Sequence, residues 1–306
     1  MTEMFKQLLT FFIFLGIGLF IGRLKRISIE KSNMLSTLLI SVFLPCKVFL
    51  NFSRYATVEY IKLNWLSLLI STGIMVLLAL LAGLVANIFT KDGYERRIFK
   101  YALAITNYSS LGYVLIEAVL GPQALTNAIF FCIPVTLYSY TFGYAMLVGK
   151  GSFFKKLINP MTVSIIIGCV FGLLQLPVPK IAATVLSDLS ACTGPAAVLF
   201  IGLVISTFSV RDVLPNAKTV IIVAFRLIVI PLLIYVICFA LGRIFTLPAA
   251  VYPTAVIVNF LPCGMNSITF PAMYGEDCRV GARLVLLSFV VCIITIPLWA
   301  RILGLG

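Results

Sequence analysis

The chain encodes an all-α polytopic membrane protein, and three observations carry that expectation. Hydrophobic residues fill 61% of its 306 positions, mean hydropathy is +1.13 and only 11% of residues are charged, too apolar a balance for a soluble chain. The apolar residues gather into ten runs of about 20 residues, the length that crosses a hydrocarbon layer of about 30 Å. The basic residues are divided unequally between alternate joins, as the positive-inside rule requires of such a protein.

The runs fall at 4–22, 33–52, 64–90, 99–120, 124–149, 159–178, 182–209, 217–242, 250–274 and 281–303, numbered here as spans 1 to 10. Span 1 is read as a retained helix rather than a signal peptide, because Arg23, Lys25 and Arg26 follow its apolar run and no small-residue cleavage site closes it. The joins are short and punctuated by charge, Gly or Pro, and none is long enough for a soluble domain. With the N-terminus outside, fifteen Lys and Arg fall in the odd-numbered joins and six on the opposite side, with Lys47 and Arg226 inside spans. Both termini are therefore expected on the outer, periplasmic face of a cell (inner) membrane. Ten spans with both ends on one side divide into two inverted sets of five, residues 1–150 and 151–306.

Two spans are interrupted. Span 9 carries Asn259, Pro262, Gly264, Asn266 and Ser267 at its middle, and span 4 carries Asn107, Ser109, Ser110 and Gly112. Proline removes a backbone donor and glycine costs about 1 kcal/mol of helix propensity, so each helix is expected to break there. Asn107 and Gly112 have the same separation as Asn259 and Gly264, and spans 2 and 7 each hold a proline, Pro45 and Pro195. Freed backbone at membrane depth is tolerated only where it is buried in protein or lines a cavity. Matching interruptions in two inverted halves point to a carrier's binding site at the midplane.

Other classes are excluded by composition. There is no histidine, and the eight cysteines form no CxxC pair, so neither a metal site nor a His-based catalytic group is expected. No cofactor is implied, and no nucleotide-binding loop is present. The net charge of +13 resides in short joins facing lipid headgroups, not on a nucleic-acid surface.

At the level of motif, Pro262, Asn266-Ser267 and the run Ala272 to Asp277, followed by Leu286-Leu287-Ser288 and Ile294-Thr295-Ile296-Pro297, resemble the auxin efflux carrier family in its compact bacterial form. Pro45, Asn107 and Gly112 fit as well. The resemblance implies the bile-acid/sodium symporter-like fold, with two inverted five-helix repeats and spans 4 and 9 unwound and crossing at the centre. It also implies a scaffold of spans 1, 2, 6 and 7, a moving transport domain of spans 3–5 and 8–10, elevator-type motion and a homodimer. Its substrates are organic anions, auxin in plants and malate or malonate in some bacterial members. One departure stands out: Val114 occupies a position where family members commonly carry proline.

The expectation is a non-enzymatic secondary active transporter, for efflux or exchange of a small organic anion such as a carboxylate. A channel-like protein or a sodium-coupled symporter of the same fold is the alternative. Helix N-termini at the two breaks carry partial positive charge that suits a carboxylate. Asn107, Asn259 and Asn266 supply amide donors, and Ser109, Ser110 and Ser267 supply hydroxyls. Pro262, Gly112 and Gly264 shape the breaks. Lys47, Asp188, Glu117 and Arg226 are ionisable residues within apolar runs, candidates for proton or sodium coupling or for counter-charge. Asp188 is also a candidate ion-pair partner of Lys47.

Overall fold

The computed structural model describes residues 2–24, 34–35, 37–148, 158–244 and 251–304, and every element in them is helical. Lys25, Arg26, Lys31, Lys150, Lys155 and Lys156, which carry much of the expected charge asymmetry, lie outside the described residues. The helices are α1 (Thr2–Arg23), α2 (Leu44–Tyr55), α3 (Val58–Phe89), α4 (Gly93–Ala104), α5 (Tyr113–Leu120), α6 (Pro122–Phe131), α7 (Ile133–Tyr138) and α8 (Tyr144–Leu147). They continue as α9 (Pro160–Leu173), α10 (Lys180–Ala191), α11 (Thr193–Ser206), α12 (Val210–Val213), α13 (Ala217–Ala224), α14 (Ile230–Ile244), α15 (Val251–Phe260), α16 (Asn266–Met273) and α17 (Arg279–Ile302). Four π-helical turns interrupt them, at Leu39–Phe43, Tyr108–Gly112, Ser139–Gly143 and Phe225–Val229.

Local chemistry sets the boundaries. The Thr57 hydroxyl caps α3 by accepting from the Tyr60 N–H at 3.2 Å, so this helix begins before the apolar run that marks span 3. Asn159 caps α9 through bonds from the Met161 and Thr162 N–H groups, and Pro160 takes the first helical position, where its missing donor costs nothing. Gly121, at φ +86°, turns the chain between α5 and α6, a conformation open to glycine without strain.

Among the described residues, four helical stretches are long and apolar enough to cross a membrane: Val58–Phe89, Lys180–Ser206, Val210–Ile244 and Arg279–Ile302. The pair Ala124–Phe131 and Ile133–Leu147, bent by 42°, makes a fifth if counted as one span. α3 shows the inside-out pattern of a lipid-facing helix. Leu69, Val76, Leu80, Leu84 and Ile88 are exposed, while Ser71, Ile74, Met75, Leu78, Ala82 and Ala86 are buried. The chain is thus an all-helical, multi-pass membrane protein.

Two glycine-lined contacts hold the N-terminal part of the chain to its C-terminal part. α1 lies on α11 and α2 on α9. A Cβ added at Gly18 would stand 2.3 Å from the Leu199 carbonyl oxygen, and one at Gly202 2.4 Å from that of Leu15. Across the other pair, a Cβ at Gly172 would meet the carbonyl oxygens of Phe52 and Ala56 at 2.7 and 2.8 Å. Small residues let backbones approach this closely, and van der Waals packing drives association where hydrophobic burial cannot.

At one end of the bundle, polar connections tie the helices together. Arg97 pairs with Glu276 at 3.4 Å, Lys218 with Glu95 at 3.0 Å, and the Tyr94 hydroxyl donates to the Asp277 carbonyl. Asp212 closes a capping box on α12, accepting from the Ser209 hydroxyl at 2.7 Å and its N–H at 3.1 Å. Those bonds, reinforced by Arg279 and Arg283, hold the Asp212 carboxyl below its ordinary value of 3.8. A lowered carboxyl stabilises the fold above its unfolded value, and that contribution fades as pH falls through the folded one. Asp212→Asn is therefore expected to lower the thermal midpoint by a constant amount near neutral pH, the gap to the parent closing below about pH 4 in a melting series.

Candidate functional site

The two interrupted helices meet backbone to backbone. α4 ends at Ala104 and α15 at Phe260; between each and its continuation the chain leaves the helix, and Thr106 pairs with Cys263 in an isolated antiparallel bridge. The Asn107 N–H donates to the Pro262 carbonyl at 2.9 Å, and the Gly264 N–H to the Ile105 carbonyl at 3.0 Å. Thr106 Oγ1 adds a bond to the Val258 carbonyl at 2.9 Å, and Ser288 Oγ accepts from the Cys263 N–H at 3.1 Å. Each break thus satisfies the other's freed backbone groups, which is what lets unwound chain persist inside the protein.

This geometry corrects the expected position of the first break. Gly112 and the serines before it do not unwind the helix. The unwound residues are Ile105–Asn107, and Tyr108–Gly112 is the π-helical turn that restarts it. The Asn107 carbonyl accepts from both Leu111 and Gly112, at 3.2 Å each, which produces that wide turn. Gly112 serves packing instead: a Cβ there would lie 2.5 Å from Leu261 Cδ1. The shared Asn–Gly spacing is also out of register with the bridge. Thr106 opposite Cys263 makes Gly264, not Asn259, the counterpart of Asn107, and makes Asn266 the counterpart of Ser109.

Two cavities flank the bridge, and Asn107 and Met265 line both. The larger, about 170 Å³, is walled by Thr10, Phe11, Phe14, Leu111, Pro195, Val198 and Phe289 among others, without a charged side chain. Phe11 stacks on Phe289 at 3.6 Å between ring centroids, joining α1 to α17 at its edge. The smaller, about 40 Å³, is lined by Ser109, Gly264, Asn266, Thr269, Tyr140 and Thr193 among others. Three of the π-helical turns contribute to it, through Leu39, Ser109 and Tyr140. Such turns widen a helix locally and are frequent at functional sites.

The expected site residues divide into two groups. Asn107, Ser109, Gly264 and Asn266 reach the cavities. Asn107 is buried, and its side chain makes no hydrogen bond among the described residues. Asn266 donates to the Tyr101 hydroxyl at 3.1 Å, and that hydroxyl also bonds Ser139 at 2.6 Å. Asn259, Pro262 and Ser267 line neither cavity among the described residues. Asn259 turns back on its own helix, donating to the Ala255 carbonyl at 2.8 Å; Ser267 does likewise to Gly264; Pro262 acts through its carbonyl. The side chain of Ser110 lies outside those described, as does that of Val114.

The four ionisable candidates are scattered. Lys47 Nζ donates to the Ser109 carbonyl at 3.2 Å, so α2 touches the turn that restarts the first broken helix. Asp188 is exposed on α10 and forms no ion pair with Lys47 among the described residues; Glu117 is exposed on α5. Arg226 is wholly buried and donates from Nη1 to the Leu103 carbonyl at 2.8 Å, beside the end of α4. Sequence reading passed over Phe11, Phe14, Phe289, Met265 and Thr269, whose apolar or common types give no local signal. Thr193 had one, standing beside Gly194-Pro195.

The comparisons with known proteins agree with this architecture. A family model described as membrane transport protein matches residues 3–154 and 147–300, together nearly the whole chain. A protein of Methanothermobacter thermautotrophicus described as an uncharacterized transporter is 23% identical over 283 residues, covering 90% of each chain. With a family model matched across both halves and the motifs of spans 9 and 10 in place, the chain belongs to the membrane transport protein family, that of the auxin efflux carriers.

Proposed function

We propose that the protein is a secondary active transporter that carries a small organic anion through a site at the crossing of the two broken helices. The observation that carries this reading is the Thr106–Cys263 bridge, with the amide of Asn107 standing between two cavities beside it. Tyr108–Leu120 and α16 both begin at the bridge, and the first N–H groups of a helix have no partner within it. Their partial positive charge and the Asn107 amide suit one carboxylate. The larger cavity has apolar and aromatic walls, which favours a monocarboxylate with an apolar body over a dicarboxylate.

The same reading takes the chain as ten spans in two inverted repeats, 1–150 and 151–306, with both termini outside a cell (inner) membrane. Two features support it. The bridge is reciprocal, each break donating to the other, and the close contacts are paired in an inverted sense. Gly18 and Gly22 of α1 face α11, while Gly168 and Gly172 of α9, with the same spacing, face α2. These helices form the proposed scaffold, against which spans 3–5 and 8–10 move as an elevator. The Lys47–Ser109 bond then crosses the sliding surface and must break as the transport domain travels.

A liposome flux assay with a panel of mono- and dicarboxylates tests the proposal. Saturable uptake with counterflow, strongest for apolar monocarboxylates, is the expected result. Unsaturable conductance would make the protein a channel, and a preference for dicarboxylates would remove the assigned role of the larger cavity.

A further inference from the structure

Arg226 is a buried charge that the binding groups leave unexplained. It stands in the π-helical turn Phe225–Val229, and its side chain is fully buried. One donor, Nη1, meets the Leu103 carbonyl at 2.8 Å, while Nε and Nη2 are buried without a hydrogen-bond partner among the described residues. No described carboxylate is fully buried, and none pairs with this guanidinium. The turn packs against α4, α15 and α17. Arg226 therefore stands at the C-terminal end of α4, and its turn also packs against α15, the other half-helix that ends at the crossing.

Helix C-termini carry a partial negative charge of about half an electron each, concentrated on their last carbonyls. In carriers built from broken helices, half-helix C-terminal ends and unwound carbonyls are where coupling Na⁺ or H⁺ is held. Here a side chain that cannot lose its proton reaches such a carbonyl first. Around the crossing the two half-helix N-termini and two C-termini roughly cancel, so the fixed guanidinium contributes about one positive charge there, besides that of Lys47 at the restarting turn. Lys47 does not do this work, since it meets the restarting turn at Ser109 and not the ends of α4 and α15.

We propose that Arg226 is the resident cation of the crossing: it offsets the ends of α4 and α15 in place of a coupling ion, so that the site beside Asn107 holds its anion without a bound metal cation. This rests on the transporter reading for the anion, while the role of Arg226 at the helix ends is testable without any substrate.

The experiment is a melting series on the full chain in detergent. The parent protein is expected to melt within about 1 °C in sodium chloride and in choline chloride of equal ionic strength. Arg226→Ala should melt about 5 °C or more lower, and about 5 mM guanidinium chloride should recover at least half of that loss while leaving the parent unchanged. Arg226→Lys, which keeps the charge, should stay near the parent, and Arg226→Met, which keeps only the bulk, should fall with the alanine variant. If the alanine variant does not fold, the lysine and methionine variants decide alone. Sodium-specific stabilisation of the parent, equal behaviour of the lysine and methionine variants, or a loss that guanidinium does not reverse would each overturn the proposal. Absence of carboxylate flux in every variant would instead count against the transporter reading and leave these comparisons standing.

Discussion

Asn107→Ala is expected to weaken binding of an apolar monocarboxylate by about 10- to 100-fold, the loss of one hydrogen bond to a charged group of about 1.5–3 kcal/mol. The residue's main chain, not its side chain, holds the crossing together: its N–H bonds Pro262 and its carbonyl accepts from Leu111 and Gly112. Alanine keeps all three bonds. Because the amide has no protein partner among the described residues, removing it strands no buried group, and stability should fall by about 1 kcal/mol or less. Asn259→Ala should behave in the opposite manner. Its amide is spent on the Ala255 carbonyl, so its removal touches α15 and moves affinity only through that helix. Thermal-shift titration of both variants separates these outcomes. Unchanged affinity in Asn107→Ala would remove the site from the bridge.

That contrast also shows how far the sequence could be read. Span 9 announced its break through Pro262 and Gly264, whose effects on a helix are local and act wherever they stand. Span 4 has no such residue at its break. Ile105, Thr106 and Asn107 are unwound because their backbone groups find partners on the other chain segment, a tertiary effect that propensity does not register. The Asn–Gly spacing therefore suggested a register five residues from the one that the bridge adopts. Polar residues at the site were legible because amides and hydroxyls are rare in apolar runs. Its aromatic wall was not, since Phe11, Phe14 and Phe289 look like any lipid-facing or packed phenylalanine. Lys47 and Asp188 looked like a pair because both are charged in apolar runs, yet Ser109 offers Lys47 a nearer carbonyl and Asp188 stays exposed.

The glycines of α1, α9 and α11 should give the largest stability effects in the molecule. Gly18→Ala would place a methyl 2.3 Å from the Leu199 carbonyl oxygen, and Gly202→Ala one 2.4 Å from that of Leu15. Both obstacles are backbone, so no side chain can swing aside and the helices must separate. Overpacking of this kind costs about 2–3 kcal/mol, which for a chain of this size lowers the melting temperature by about 5–10 °C. Gly16→Ala is the internal control: it lies on the same helix with nothing within 4 Å of its added methyl, and it gains helix propensity of about 1 kcal/mol. It should be neutral or stabilising in the same melting assay. Gly172→Ala makes the comparison that matters for the architecture, since it meets the backbone of Phe52 and Ala56 across the α9–α2 contact. If the two contacts are equivalent halves of one rigid scaffold, Gly18→Ala and Gly172→Ala should lose similar stability, and their double variant should lose roughly the sum. A large loss from one and none from the other would mean that only one contact bears on stability, and the paired-scaffold reading would fall with it.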